Sequence, residues 1–398
     1  MAAIDGHHLL DATMFWSRDG VGGVRQVLQT KRDALISKGW RHTLMAPDAS
    51  GGPDILDCGG VPIPFSGGYR FVIRRGHAAR LIERAEPDLI EAADPYTLGW
   101  SVLDAAHDLQ VPAVAFCHSN LPQMAQRWLA GPDGRQRRRG RWAEHQAARY
   151  LADLYGRYDL VLAPNRELTQ SLRALGVTQA RLQPLGVDCQ VFTPRADDPA
   201  WRHALMQRLG LAAGTKLIIY AGRFAPEKNL DLTARAVELL GPGHALLAIG
   251  RGPRPPRGPG VHVLPPPSQR SHVARLLASA DVFVHAGDQE TFGLAALEAM
   301  ACGTPVVASG RGGLGELVQG AGITLRSRRA ADWAEAIREA LEQTDTAPIR
   351  DALARARSLD WPLVIDGWER QYQRLLRPGR QADGDGAMSS RGPMPHHA

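Results

Sequence analysis

Gly287-Asp-Gln-Glu-Thr-Phe-Gly-Leu-Ala-Ala-Leu-Glu-Ala-Met-Ala-Cys-Gly-Thr-Pro-Val-Val-Ala308 follows the short apolar run Val282 to His285. The run has strand length, a glycine-bearing loop follows, the Leu- and Ala-rich segment has helical period, and Pro305 to Ala308 is a second strand-like run. Strand, helix and strand joined by short loops are the unit of a parallel sheet. Where the loop opens the helix, the N–H groups of Phe292, Gly293 and Leu294 form an anion site. Glu290 lies in the loop, and Glu298, eight positions on, falls two turns down the helix on nearly the same face. One carboxylate suits the hydroxyls of a sugar ring and the other those of a ribose, with phosphates between. A helix-dipole role for Glu290 with an exposed Glu298 is the alternative, which the flanking pattern disfavours.

The same alternation runs outward through the chain. In the second half, strands fall at Lys216 to Ala221, Ala245 to Ile249 and Val261 to Leu264. In the first half, Asp88 to Glu91, Ala113 to Cys117 and Leu160 to Ala163 read as strands. Helical periods there cover Gly22 to Ser37, Thr97 to Leu109, Arg141 to Tyr155 and Arg166 to Leu175. The fold class is therefore α/β, with helices on both faces of parallel sheets. A chain of 398 residues, 44% apolar and 22% charged, exceeds one ordinary core and divides in two. Pro184 to Pro199, rich in Pro and Asp, is the linker, which gives halves 1–189 and 190–376. Trp361 to Leu376 is an amphipathic helix suited to packing back across the hinge. The tail 377–398 is too polar to order itself, so the one-residue spacing of Asp383 and Asp385 is chance and no metal is expected.

Composition sets the compartment and the partners. No apolar run reaches the roughly twenty residues that cross a bilayer, and Met1 to Leu10 lacks the basic-then-apolar pattern of a secretory signal. A cytoplasmic protein is expected, with Cys58, Cys117, Cys189 and Cys302 reduced. The net charge of +6 favours phosphate-bearing partners without choosing among nucleotides, an anionic membrane and nucleic acid. No basic stripe with interleaved aromatics supports nucleic acid. The basic run Arg135 to Arg141 and the mixed segment Tyr69-Arg-Phe-Val-Ile-Arg-Arg suit peripheral docking on the anionic inner face of the cell membrane, or else a solvated helix face and an ordinary loop.

Tyr220-Ala-Gly-Arg-Phe-Ala-Pro-Glu-Lys-Asn-Leu leaves a strand and enters a helix, which brings Arg223 and Lys228 to the carboxyl edge of the sheet, where open α/β sheets bind ligands. Two cations there suit a diphosphate; a solvated pair beside Glu227 fits the residues equally. Gly20-Val-Gly-Gly-Val-Arg opens the first long helix, and its glycines suit either phosphate approach or turn geometry. His118 follows a strand in Phe-Cys-His-Ser-Asn-Leu-Pro, where it is either structural or cleft-facing. Asp94 either orients an acceptor hydroxyl or caps the helix near Thr97, with the cap the better fit.

Together, Gly-Arg-Phe-Ala-Pro-Glu-Lys-Asn and the Glu, seven residues, Glu arrangement resemble glycosyltransferase family 4, whose retaining enzymes have the GT-B fold: two Rossmann-like domains with parallel sheets facing across a central cleft. The resemblance implies a nucleotide diphosphate sugar as donor. It assigns the diphosphate to Arg223 and Lys228, the ribose to Glu298 and the sugar hydroxyls to Glu290. Gly250 and Gly252 match a glycine turn near the nucleotide, whose base would be read by backbone around His262 to Leu264. It places Gly22 and Gly23 against the donor phosphates, with Arg25 as an added contact, and His118 beside the reacting carbon. A broken first strand, Leu9-Leu-Asp-Ala-Thr-Met-Phe-Trp with Asp11 inside it, departs from the clean apolar run of the family. The implied reaction is front-face transfer of a hexose with retention, without metal or cofactor, to a glycan or lipid-linked acceptor. GDP-mannose leads as donor, with UDP-glucose close behind. An epimerase or phosphorylase on the same architecture, or a silent sugar-nucleotide binder, are the alternatives.

Overall fold

The computed structural model describes residues 6–16, 22–49, 52, 54–63, 69–130, 136–343 and 347–377. Gly20, Arg135, Asp383, Asp385 and the tail beyond Arg377 lie outside the described residues.

The first half runs β1 (His8–Ala12), α1 (Gly23–Ser37), β2 (Arg41–Ala46), β3 (Ile55–Asp57), β4 (Val61–Pro62), β5 (Arg70–Phe71), α2 (Arg75–Ala85) and β6 (Leu89–Ala92). It continues with α3 (Thr97–Leu109), β7 (Ala113–Phe116), α4 (Leu121–Ala130), α5 (Arg137–Tyr155), β8 (Leu160–Ala163), α6 (Arg166–Ala174) and β9 (Ala180–Leu182). Seven of these strands form one parallel sheet in the order β3-β2-β1-β6-β7-β8-β9.

The second half opens with α7 (Pro199–Arg208), β10 (Lys216–Ala221), α8 (Leu230–Leu240), β11 (His244–Ile249), β12 (Val261–Leu264), α9 (Arg270–Ala278), β13 (Val282–His285) and α10 (Leu294–Ala301). It closes with β14 (Val306–Ser309), α11 (Gly312–Val318), β15 (Ile323–Leu325), α12 (Ala330–Leu341), α13 (Ala347–Ser358) and α14 (Trp361–Leu376). Its six strands are also all parallel, ordered β12-β11-β10-β13-β14-β15. The fold is the α/β pair of Rossmann-like halves expected. In each sheet the order reverses beside one strand, β1 in the first and β10 in the second, and the crevices beyond their carboxyl ends are where such sheets take ligands.

The interruption at Asp11 does not break β1. All five of its residues are buried, and the Asp11 carboxylate is neutralised in place. Lys31 Nζ, fully buried on α1, lies 2.7 Å from Asp11 Oδ1 and 2.6 Å from Glu91 Oε1, both also fully buried. His42 Nε2 meets Asp11 Oδ2 at 2.8 Å, and Tyr372 of α14 donates its hydroxyl to Glu91 Oε2 at 2.5 Å. Burial alone would raise Asp11, but Lys31 and His42 hold it below the usual carboxylate value; burial wins at Glu91, which sits above it.

Both passages of the chain between the halves run side by side. Val187 N–H donates to Leu359 O and Trp361 N–H to Val187 O, each at 3.0 Å. A Cβ on Gly186 would lie 2.7 Å from the Trp361 ring, so only glycine fits the crossing. Past it, α14 packs on the first half: Trp368 lies 5.0 Å from the Phe116 ring centroid and Tyr372 6.0 Å from that of Trp40.

Candidate functional site

The second half supplies the denser cluster. β13 ends on His285, which is buried, and the loop after it carries Glu290 back toward the turn Pro226–Lys228 that follows β10. Lys228 Nζ pairs with Glu290 Oε1, and His285 Nε2 lies 3.2 Å from the same oxygen. Gly287 N–H donates to His285 Nδ1 at 3.1 Å, so the ring proton sits on Nε2 and points at Glu290. A Cβ on Gly287 would come 2.5 Å from His285 Cε1, so the glycine makes room for that ring. Burial pushes the Glu290 carboxyl up, but the Lys228 charge and the His285 hydrogen bond outweigh it and hold the group well below the usual carboxylate range. Glu290 is thus a fixed anion and acceptor, unsuited to donating a proton at neutral pH.

Helix α10 begins at Leu294 behind Gly293, whose φ of +100° and close approach to Leu314 Cδ1, 2.8 Å from a built Cβ, require glycine. No side chain caps this end and its first turn holds no acid, which leaves a positive helix terminus behind Phe292. Because the helix starts this late, Glu298 stands little more than one turn into it, not two turns below Glu290 on a shared helix. It is neither an exposed charge: its carboxylate is buried and accepts from Arg270 Nη2 at 2.8 Å. Burial raises its pKa, opposed by Arg270 and by a hydrogen bond from Gln26 of α1. Arg223 is exposed and pairs with Glu227 at 2.6 Å. Gly250 and Gly252 are explained by backbone packing: built Cβ atoms would lie 1.9 Å from Gly222 O and 2.3 Å from Phe224 O. The strand β12, with His262, forms the sheet edge beyond them.

Across the cleft, Gly22 caps α1, and a Cβ on Gly23 would lie 3.3 Å from Leu294 Cδ1, so the glycine turn of the first half meets the start of α10. Arg25 stacks its guanidinium 4.5 Å from the Trp16 ring centroid. His118 stacks on Phe116 with centroids 4.2 Å apart, its Nε2 is enclosed without a hydrogen-bond partner, and its main-chain oxygen accepts from Thr291 Oγ1 at 2.8 Å. Burial, helped by Lys31, pushes its pKa down to about 3, so the ring is neutral. Asp94 is buried, with Oδ2 accepting from Met14 N–H at 2.6 Å and Oδ1 from Tyr96 N–H at 3.3 Å. Its carboxylate therefore serves the loop before α3 and does not cap the helix, whose N-cap residue is Tyr96. Burial lifts its pKa to about 6.

Sequence reasoning missed the residues that tie the lips together. Arg127 of α4 donates to Asp288 Oδ1 and to Pro226 O, both at 3.0 Å, and Arg328 holds Asp288 Oδ2 at 2.7 Å. Asn165 donates to Thr291 O at 2.5 Å. Their identity as cleft residues depends on which loops face one another, which no local pattern encodes; His285 alone carried a signal, as the polar end of a buried strand. Asn120, Gln123, Asn165, Glu290 and Thr291 line a narrow space of about 10 Å³.

Chemically the site offers fixed positive and negative charge and hydrogen bonds, with Glu290 held ionised and His118 held neutral. Two family models match the chain: Glycosyltransferase Family 4 over residues 21–191 and Glycosyl transferases group 1 over residues 215–343. Among its relatives is a GDP-mannose-dependent alpha-(1-6)-phosphatidylinositol dimannoside mannosyltransferase of Mycobacterium tuberculosis, 30% identical over 85% of this chain and 89% of the relative. A GDP-mannose-dependent alpha-mannosyltransferase of the same species is 30% identical over 72% of this chain and 73% of its own length. Of solved structures, sucrose-phosphate synthase from Thermosynechococcus elongatus superposes with a TM-score of 0.73 at 21% identity, covering 93% of this chain and 99% of that one. Anabaena HepE, solved with UDP and glucose, gives 0.69 at 20% identity over 92% and 99%.

Proposed function

The chain belongs to glycosyltransferase family 4, and from that premise we propose that it is a retaining, metal-independent hexosyltransferase carrying mannose from GDP-mannose to a glycan or lipid-linked acceptor. The observation that carries the reading is the Lys228–Glu290–His285 cluster beside the uncapped start of α10, opposite Gly22 and Gly23. In this reading Lys228 and Arg223 neutralise the diphosphate as it gains charge on leaving, and the N–H groups at Phe292, Gly293 and Leu294 add to them. Glu290 accepts from the sugar hydroxyls, and its orientation is fixed by His285. Glu298 takes the ribose hydroxyls, with Arg270 as its resident partner. His118, neutral, offers Nε2 to the sugar near the reacting carbon. Gly250 supports the turn beside the nucleotide through packing, while Arg25 and Asp94 shape the acceptor side indirectly.

The step is positioning and charge stabilisation: the acceptor oxygen attacks on the face from which the diphosphate leaves, and a departing phosphate oxygen takes the acceptor proton. The cations and the helix terminus supply the positive charge that a metal would otherwise provide. GDP-mannose is favoured because both mycobacterial relatives bear that donor in their names. No helix of the described residues is long and apolar enough to cross a membrane, and the proposed location is the cytoplasm, peripheral to the inner membrane face. The test is a melting and hydrolysis panel of GDP-mannose and UDP-glucose, with and without chelator, on wild type and Glu298→Ala. GDP-mannose should stabilise and be hydrolysed by wild type alone, with chelator present. Stabilisation by UDP-glucose only, or activity that vanishes with chelator, overturns the corresponding part.

A further inference from the structure

Glu290 sits in a loop that the first half holds on both sides of it. Just after Glu290, Thr291 Oγ1 donates to His118 O at 2.8 Å and Thr291 O accepts from Asn165 Nδ2 at 2.5 Å. Just before it, Asp288 Oδ1 accepts from Arg127 Nη1 at 3.0 Å. The second half adds its own hold, since Gly313 N–H donates to Glu290 O at 2.9 Å and Arg328 Nη2 to Asp288 Oδ2 at 2.7 Å.

Arg127 reaches a second loop as well. Its Nη2 donates to Pro226 O at 3.0 Å, in the turn Pro226–Lys228. One guanidinium from the first half therefore spans the two loops whose side chains form the Lys228–Glu290 pair. Within the second half the same loops are joined by Asn229 Nδ2, which donates to Ala286 O at 2.9 Å. The helix behind Arg127 is firmly seated. At its start Asn120 Oδ1 accepts from Gln123 N–H at 3.2 Å, and along its length Gln126 Nε2 donates to Glu144 Oε2 of α5 at 2.6 Å. Gly140 permits that close packing of α4 on α5, because a Cβ there would lie 2.8 Å from Gln126 O.

The Arg127 side chain is 32% exposed and that of Asp288 12%, and an ion pair in such a setting adds little to stability. What it fixes is position. The planar fork of a guanidinium holds two acceptors at a set spacing, which the single ammonium of lysine does not. We propose that Arg127 is a positioning residue for sugar transfer, holding the Lys228 turn and the Glu290 loop at the separation that the sugar and its departing diphosphate require. It acts through Lys228 and Glu290 rather than by contact with the donor. The inference deepens the proposed function and rests on its donor reading.

The experiment compares wild type with Arg127→Ala, Arg127→Lys, Lys228→Ala and Arg127→Ala/Lys228→Ala. It reads kcat for hydrolysis of whichever of GDP-mannose and UDP-glucose wild type turns over, together with the melting shift given by the matching nucleoside diphosphate. Arg127→Ala should lose on the order of 10²-fold in kcat, the effect of displacing groups at a reacting centre by about 1 Å. Its melting shift should stay, because Glu298 and its ribose contact are untouched. Arg127→Lys should remain slow, since charge without the fork cannot bridge both loops. The double variant should be about as slow as Lys228→Ala alone, as expected of residues that act as one unit. Unchanged melting temperatures of the free proteins verify that the variants fold. A kcat for Arg127→Ala within about threefold of wild type, full recovery in Arg127→Lys, losses that multiply in the double variant, or a melting shift that falls in step with the rate overturns the proposal. Wild type silent with both donors sinks the donor reading and this role together, whereas an active wild type with an unimpaired Arg127→Ala sinks this role alone.

Discussion

Replacing Lys31 by methionine keeps the volume of a fully buried side chain and removes its charge. Asp11 and Glu91, both without solvent exposure, are then left facing one another with no cation between them. Removing one partner of a buried ion pair costs about 3–5 kcal/mol, because the remaining charge keeps its desolvation penalty. Two carboxylates share the loss here, which places the variant toward the top of that range at neutral pH. The pH dependence follows in sign. Burial already raises Glu91, and without Lys31 that carboxyl lies further above its unfolded value, while Asp11 keeps only His42 against its burial. The folded variant therefore binds more protons than the unfolded chain between those values, and its stability falls as pH rises through that window. Acidification to about pH 5 should shrink the difference from wild type. Guanidinium unfolding followed by circular dichroism at the two pH values measures it, and adding Glu91→Gln should recover part of the loss in a double-mutant cycle. A loss under about 1 kcal/mol at neutral pH, or one that grows on acidification, would refute the reasoning.

Two predictions concern the cleft. Lys228→Ala and Glu290→Gln should each lower kcat by on the order of 10²-fold or more while leaving the fold intact, since each removes charge fixed at the reacting centre. Because Glu290 is held below its unfolded pKa, its contribution is present above that unfolded value and is lost only as pH falls through the folded one, so the pair persists across the ordinary assay range; a loss of activity centred on the usual Glu value that Glu290→Gln abolishes would contradict this. His118, pushed down to about 3, should leave no inflection near the ordinary histidine pKa of about 6.5. The kcat/KM profiles of wild type and His118→Asn should run parallel there, and a step present only in wild type would show that His118 titrates during catalysis.

The strands flanking the site were legible because their apolar runs are buried on both faces and their ends carry glycine. Val282–His285 and Lys216–Ala221 appear as read, and Arg223, Lys228 and the 287–293 loop emerge at one sheet edge as the strand-to-helix order required. β2 was not legible, since His42 and Thr43 interrupt its apolar pattern; inside the fold they bond to Asp11 and His8. Asp11 looked like a strand breaker for the same reason, its partner Lys31 being twenty residues away in sequence. The helix read from Arg141 starts at Arg137, because its arginine-rich first turn lacks the acids and cap that mark a helix start. The pairing of Glu298 with Arg270 and the hold of Arg127 on Asp288 join separate elements, and only the assembled topology brings them within reach.

The paired strands of backbone at Val187 and Asp360 have a mechanical meaning. With the two connections fastened to each other by main-chain hydrogen bonds, the halves have a single line to turn about, and sliding one sheet past the other would tear that fastening. Because α14 rides with the first half although it is encoded after the second, an engineer exchanging donor halves between relatives should cut twice, near 187 and near 360, and leave the last helix with its host.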